Sequence, residues 1–236
     1  MIRRFEKTPR TATPAKTRAV SRAAASRRQV MAGKGARIAV RALRGPFLPP
    51  ENWYEPGELV GGDYRVIVQQ PGAGYRHVVT EADVRARLAQ LPAWMLASLE
   101  VIQFSQMTRK KRQAPCYGMQ WGNTVYLYPI EENLIETFVQ PPLPAQRIEA
   151  GMFGARWQQA GRTQWKLIWS EEAIRDFYLN NVLIHELGHV IDNRNTNTVD
   201  RERFAEWFAL EHGYKASQRA ELALQASRKY VRRRHH

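Results

Sequence analysis

The sequence predicts an α+β domain: a small mixed or antiparallel sheet and a helix carrying a His-Glu-x-x-His motif, preceded by a disordered basic N-terminal arm. Three observations carry that expectation. Short β-rich runs bounded by Gly, Pro and Asn fill residues 64–169. An apolar pattern close to a 3.6 period follows at once, with Ile174, Phe177, Tyr178, Ile184, Leu187 and Ile191 on it. Residues 1–45 carry 13 Lys or Arg against one acid and almost no apolar periodicity.

The arm comes first. It cannot bury enough surface to offset its ordering entropy, so disorder is expected up to about Arg44. Being Arg-rich, Ser-containing and acid-poor, residues 1–44 suit three roles: an electrostatic tether to nucleic acid or an acidic partner, a solubilising or assembly arm, or an organellar transit peptide. The tether is preferred. Residues 215–236 read as a C-terminal helix and basic tail. The span 212–236 has seven basic residues against one acid, which leaves 46–211 at −4 of the total +14. Basicity belongs to the ends, and the middle is not itself a phosphate-binding surface.

The central domain is expected over 46–214. Pro46, Pro49, Pro50 and Pro56 mark an extended linker. Tyr64–Val68 and Arg76–Val79 suggest a hairpin across Gln69-Gln70-Pro71-Gly72-Ala73-Gly74. Thr80 caps a helix whose Val84, Leu88 and Leu91 share a face, Asp83 completes a capping box, and Pro92 interrupts it. Leu99–Phe104 and Thr124–Tyr128 read as strands, with Gly122-Asn123 turning the chain from Cys116–Trp121, and Lys166–Trp169 as a further strand before the helix. Ser170 caps that helix, with Glu171 and Glu172 favouring the positive end of its dipole.

His185-Glu186-Leu187-Gly188-His189 lies on this helix. Residues four apart project from one face, so both imidazoles can close on one zinc ion. Glu186 is too near His185 to be an easy third ligand, but its carboxylate can take the proton of a water there, the work of a general base. Gly188 forgoes a side chain between the histidines at a cost of ~1 kcal/mol in helix propensity, which implies close approach of another helix. A metzincin continuation is excluded, because Asp192 and Asn195 stand where its Gly and third His belong. The third ligand is expected from a second helix, capped by Asp200 and stopped near Gly213. There Glu202, Ala205, Glu206 and Ala209 form one stripe. Glu202 reaches the metal, and Glu206, one turn on, is placed to accept the other ring N–H of a ligand histidine. The competing account makes Glu202 and Glu206 a solvated acidic face paired with Arg201 and Arg203.

His-Glu-Leu-Gly-His-Val-Ile-Asp at 185–192, followed by Glu202-x-x-Ala205-Glu206-x-Phe208-Ala209, resembles the catalytic domain of the anthrax-toxin lethal factor family, a gluzincin group. It is similar, less closely, to the ImmA/IrrE peptidases. The resemblance spans about residues 165–213. It implies a zincin-like fold, His185, His189 and Glu202 as zinc ligands, and Glu186 as general base of a metalloendopeptidase. The lethal factor group also places a tyrosine shortly before its glutamate ligand to stabilise the oxyanion, but no Tyr or His lies between Val190 and Arg201. Tyr178, His212 and Tyr214 are the substitutes to consider.

An edge strand within Cys116–Tyr128 is the candidate for holding a protein or peptide substrate by main-chain hydrogen bonds. Its Trp121, Tyr126 and Tyr128 are better explained as half-buried sheet residues. Arg109-Lys110-Lys111-Arg112 form a basic loop, ordinarily solvated, that can also bind phosphate or a peptide carboxylate. The single cysteine, Cys116, excludes an internal disulfide framework. With no signal sequence and no apolar run long enough to span a bilayer, a cytoplasmic location is expected, organellar targeting by the arm remaining open. A second function stands beside the peptidase: a catalytically inactive binding protein of the same fold, tethered to nucleic acid or an assembly by its basic arm.

Overall fold

The computed structural model describes residues 63–113 and 116–234. The expected arm and proline linker lie outside them. What is described is a mixed α+β structure with small sheets.

β1 (Arg65–Val68), β3 (Val101–Phe104), β5 (Thr124–Leu127) and β4 (Gly118–Trp121) form a sheet in that order. β1, β3 and β5 run parallel, and β4 closes the edge antiparallel to β5. The β4–β5 hairpin turns where expected, at Gly122, whose positive φ of 55° suits glycine. The hairpin expected across residues 69–74 does not form. β1 pairs instead with β3, all four of whose residues are buried, while β2 (Tyr75–Arg76) pairs with β6 (Ile130–Glu131). The loop between them bonds forward: Gln69 N–H donates to the Phe104 carbonyl and Met107 N–H to that of Pro71. Burying β1 along a dry strand outweighs the local turn signal.

A second sheet, antiparallel, orders β7 (Ile135–Phe138), β9 (Trp165–Ile168) and β8 (Arg156–Gln159). β9 leads directly into the helices. The first helix, α1 (Glu81–Leu88), has the expected Thr80–Asp83 capping box, and buries Val84 and Leu88. α2 (Arg109–Gln113) is short and basic, and α3 (Pro144–Met152) follows β7.

The helix expected from Ser170 is interrupted. α4 (Glu171–Phe177) begins as predicted, with the Ser170 hydroxyl accepting from Ala173 N–H, but residues Tyr178–Val182 form a π turn before α5 (Leu183–Ile191). The next helix, α6 (Thr198–Phe208), is capped by Asn197, which accepts from Asp200 N–H. Asp200 is therefore the third residue of the helix and not its cap. Nor does the chain stop near Gly213: a second π turn, Ala209–Tyr214, continues into α7 (Lys215–Arg234).

The two π turns meet. A Cβ on Gly213 would stand 1.8 Å from the Asn180 carbonyl oxygen, so this glycine marks a backbone crossing and not a helix end. Arg87 of α1 reaches both turns from a buried position, donating to Asn180 Oδ1 at 2.5 Å and to the His212 carbonyl. A local 3.6-period count cannot anticipate such an insertion, because π turns arise where tertiary contacts satisfy the displaced backbone groups.

α5 lies against β4 and β5 on one side and α6 on the other. Tyr117, just ahead of β4, is fully buried with its ring edge-on to Phe177 at 5.1 Å and Tyr178 at 5.9 Å. Burying a large side chain of this kind contributes ~1.5–3 kcal/mol, so this cluster pins the edge strand to the helix pair. Among the described residues no helix is long and apolar enough to cross a membrane.

Candidate metal centre

α5 buries every residue from Leu183 to His189. Within it His185 and His189 turn the same way, their Nε2 atoms 3.1 Å apart. Glu202, from the second turn of α6, brings Oε2 to 3.6 Å from His185 Nε2 and 3.8 Å from His189 Nε2. Two atoms that each ligate one tetrahedral zinc from about 2.1 Å stand about 3.4 Å apart. The observed separations bracket that value, so the donor set and its geometry fit a zinc ion.

Gly188 is what allows the helices to close. A Cβ there would lie 3.1 Å from Ala205 Cα and 3.3 Å from Phe208 Cβ. Ala205 and Ala209 are buried on the facing stripe, while Glu206 on the same stripe is exposed. The arginines that the competing account pairs with Glu202 go elsewhere: Arg203 pairs with Asp200 at 3.4 Å, and Arg201 donates to the His189 carbonyl at 3.2 Å and Gln120 Oε1 at 3.3 Å. Arg201 thus ties α6 to the end of α5 and to β4. Asp192 ends α5 by accepting from the backbone N–H groups of Arg194 and Asn195 and from the Asn195 amide.

Burial holds His185 well below its usual range, at about 4, outweighing the pull of Glu202, and it lowers His189 as well. Both rings are then neutral at pH 7, with a lone pair to offer a metal. Glu202 is held down to about 2, chiefly by its polar contact with His185. Glu186 behaves oppositely: burial, reinforced by the Glu202 charge, pushes it up to about 8, against the opposing pull of Lys111 and the Gln120 backbone N–H. Its Oε1 is buried without a hydrogen-bond partner among the described residues.

Residues with no part in the sequence expectations complete the centre. A Cβ on Gly118 of β4 would meet Val182 Cγ1 at 2.7 Å and both Cγ and Oε1 of Glu186 at 2.9 Å. Only glycine lets the edge strand lie on the Glu186 side chain; a glycine inside a strand pattern was the available signal for it. The substitutes considered for an oxyanion role are engaged in packing. Tyr178 donates to the Tyr128 carbonyl at 2.6 Å, Tyr214 packs edge-on to Phe153 at 5.3 Å, and His212 packs on Phe208 at 4.5 Å.

No known protein family, characterised protein or solved structure matches the chain.

Proposed function

We propose that the protein is a zinc-dependent peptidase with a zincin-like, gluzincin-type centre: His185, His189 and Glu202 hold the ion, and Glu186 is the general base. The observation that carries this reading is the convergence of three donor atoms beside a buried carboxylate oxygen that has no hydrogen-bond partner among the described residues. When bound, zinc would supply Lewis acidity, polarising the scissile carbonyl and lowering the pKa of water toward ~7.

The chain's own residues supply the rest. Burial keeps the two imidazoles neutral, and Glu202, exposed over 39% of its side chain, brings the one fixed negative charge to the ligand set. Glu186 accepts the proton of the attacking water as oxygen bonds to the carbonyl carbon, then hands it to the nitrogen as the C–N bond breaks. Its place, buried on the helix that carries both histidines with Oε1 unpartnered among the described residues, suits both transfers. The Gln120 N–H and the bare Cα of Gly118 set its position from β4. The outer edge of that strand, next to the centre, is the place for an extended peptide.

The engagement of Tyr178, His212 and Tyr214 in packing favours one rival, an inactive metal-binding protein of the same architecture. Zinc content and hydrolysis of an unstructured protein such as casein separate the two. The peptidase reading expects about one zinc per chain and turnover, with Glu186→Gln keeping the zinc and losing ~10³-fold or more of the rate. Full activity in that variant ends the peptidase reading; stoichiometric zinc without turnover in the unsubstituted protein favours the rival.

A further inference from the structure

The short basic helix α2 lies against the edge strand through Lys111. Its ammonium sits 4.0 Å above the centre of the Tyr128 ring, 3.6 Å from Met119 Sδ on β4 and 3.4 Å from Cys116 Sγ. These are weak acceptors. A ring face and two sulfurs position the charge without neutralising it, and they leave ammonium donor capacity unused. Lys111 is half-buried, whereas Arg109, Lys110 and Arg112 are exposed. Among the described residues none of the four forms an ion pair. Elsewhere on the described surface arginines do find carboxylates, as in Arg76–Glu171, Arg85–Glu81 and Arg175–Asp83. A cation with no ion pair among the described residues therefore stands at the start of the strand that borders Glu186.

We propose that Lys111, supported by Arg109, Lys110 and Arg112, selects peptides carrying acidic side chains for the β4 edge. The inference rests on the peptidase reading and names its substrate class. Chemically, a carboxylate arriving beside Lys111 replaces sulfur and ring contacts with a charge-assisted hydrogen bond in a partly desolvated place, where such a bond is stronger than at an open surface. The exposed neighbours raise the local concentration of anionic segments without fixing their register. A phosphate backbone would satisfy the same cations, but the element that Lys111 touches is the edge strand β4, whose open side offers main-chain partners to an extended peptide.

The test uses the full-length Glu186→Gln protein, which holds a peptide without cutting it. Binding of fluorescent unstructured peptides of equal length, Glu/Ser, Gln/Ser or Lys/Ser in composition, is followed by anisotropy at about 50 mM salt, where screening is modest. The acidic peptide is expected to bind at least about tenfold more tightly than the uncharged one. Adding Lys111→Met, which keeps the packing on Tyr128, removes most of that preference, and Lys111→Glu removes all of it. Arg162→Glu, the same change of charge in the β8–β9 turn, leaves it in place, so attraction to the basic termini is accounted for. Equal binding of the three peptides, a preference that survives Lys111→Glu, or equal loss in the Arg162 control overturns the inference. So does a Lys111 effect seen only with a single-stranded oligonucleotide. Absent zinc or turnover in the unsubstituted protein counts against the peptidase reading alone, because the binding measurements need neither.

Discussion

The two helices that meet at the candidate centre are built for opposite surroundings. α5 buries Leu183 to His189 without a break, whereas α6 buries Ala205 and Phe208 and leaves Glu202 partly in solvent. Two carboxylates consequently take opposite states within one site. Glu186, dry and beside another negative charge, is pushed up to about 8; Glu202, with two imidazoles to face and water behind it, is held down to about 2. Environment, not residue type, sets the two carboxyl groups apart.

The widest separation between the helices should come from Glu202→Ala. Glu186→Gln retains zinc in the proposed peptidase. Loss of Glu202 instead removes the only anionic donor and should weaken zinc by more than the ~10–100-fold that an outer-shell partner is worth. Competition with a chromophoric chelator measures this directly. Affinity within a fewfold of the unsubstituted protein would mean that Glu202 does not ligate.

The glycines sharpen the same contrast at smaller scale. In Gly118→Ala the new methyl meets Glu186 Oε1 and Cγ at 2.9 Å, so the general base must move while the ligands stay. The expected result is a fall of about 10–100-fold in hydrolysis, in line with a misplaced base, with zinc affinity little changed. In Gly188→Ala the methyl meets Ala205 Cα at 3.1 Å, which forces the helices themselves apart. Overpacking of ~1–3 kcal/mol at least offsets the ~1 kcal/mol gained in helix propensity, and zinc affinity falls as the helices separate. If both variants lose zinc equally, β4 and α6 do not act on separate parts of the centre.

A separate test is one of pH, measured as the melting temperature of the chelated protein from about pH 2 to about 9. Glu186 releases its proton near 4.5 in the unfolded chain but near 8 in the fold, so its contribution to stability is fully present below about 4.5 and is lost as pH rises toward 8. His185, lowered from 6.5 to about 4, costs stability as pH falls between those values. Glu202, lowered from 4.5 to about 2, contributes stability that is present above 4.5 and lost in stronger acid. Glu186→Gln should abolish the decline on the alkaline side and keep both losses on the acid side. An unchanged alkaline slope would place the titrating group elsewhere.

Much of the centre was legible from local periods. The i, i+4 spacing of His185 and His189, the gap at Gly188 and the Glu202–Ala205–Ala209 stripe are short-range properties of a helix, and each appears in the structure. Misreadings arose where distant partners decide. The Gln69–Gly74 turn lost to the pairing of β1 with β3, and Gly213 suggested a helix end where it serves a crossing with Asn180. Asn197 took the cap expected of Asp200, a shift of register within one polar run that residue preference alone does not resolve.

By itself the amino-acid sequence determined which side chains share a helical face, because 3.6 residues per turn is a property of the backbone. It also determined the α+β class, through the order of its β-rich runs and helices. Only the tertiary structure decided that two faces close to within 3.8 Å, and that Glu186 is dry while Glu202 is not. It also set Gly118 against Glu186 and Lys111 against Met119 of the same strand. Proximity across the chain and exclusion of water are collective outcomes of packing, and no local pattern contains them.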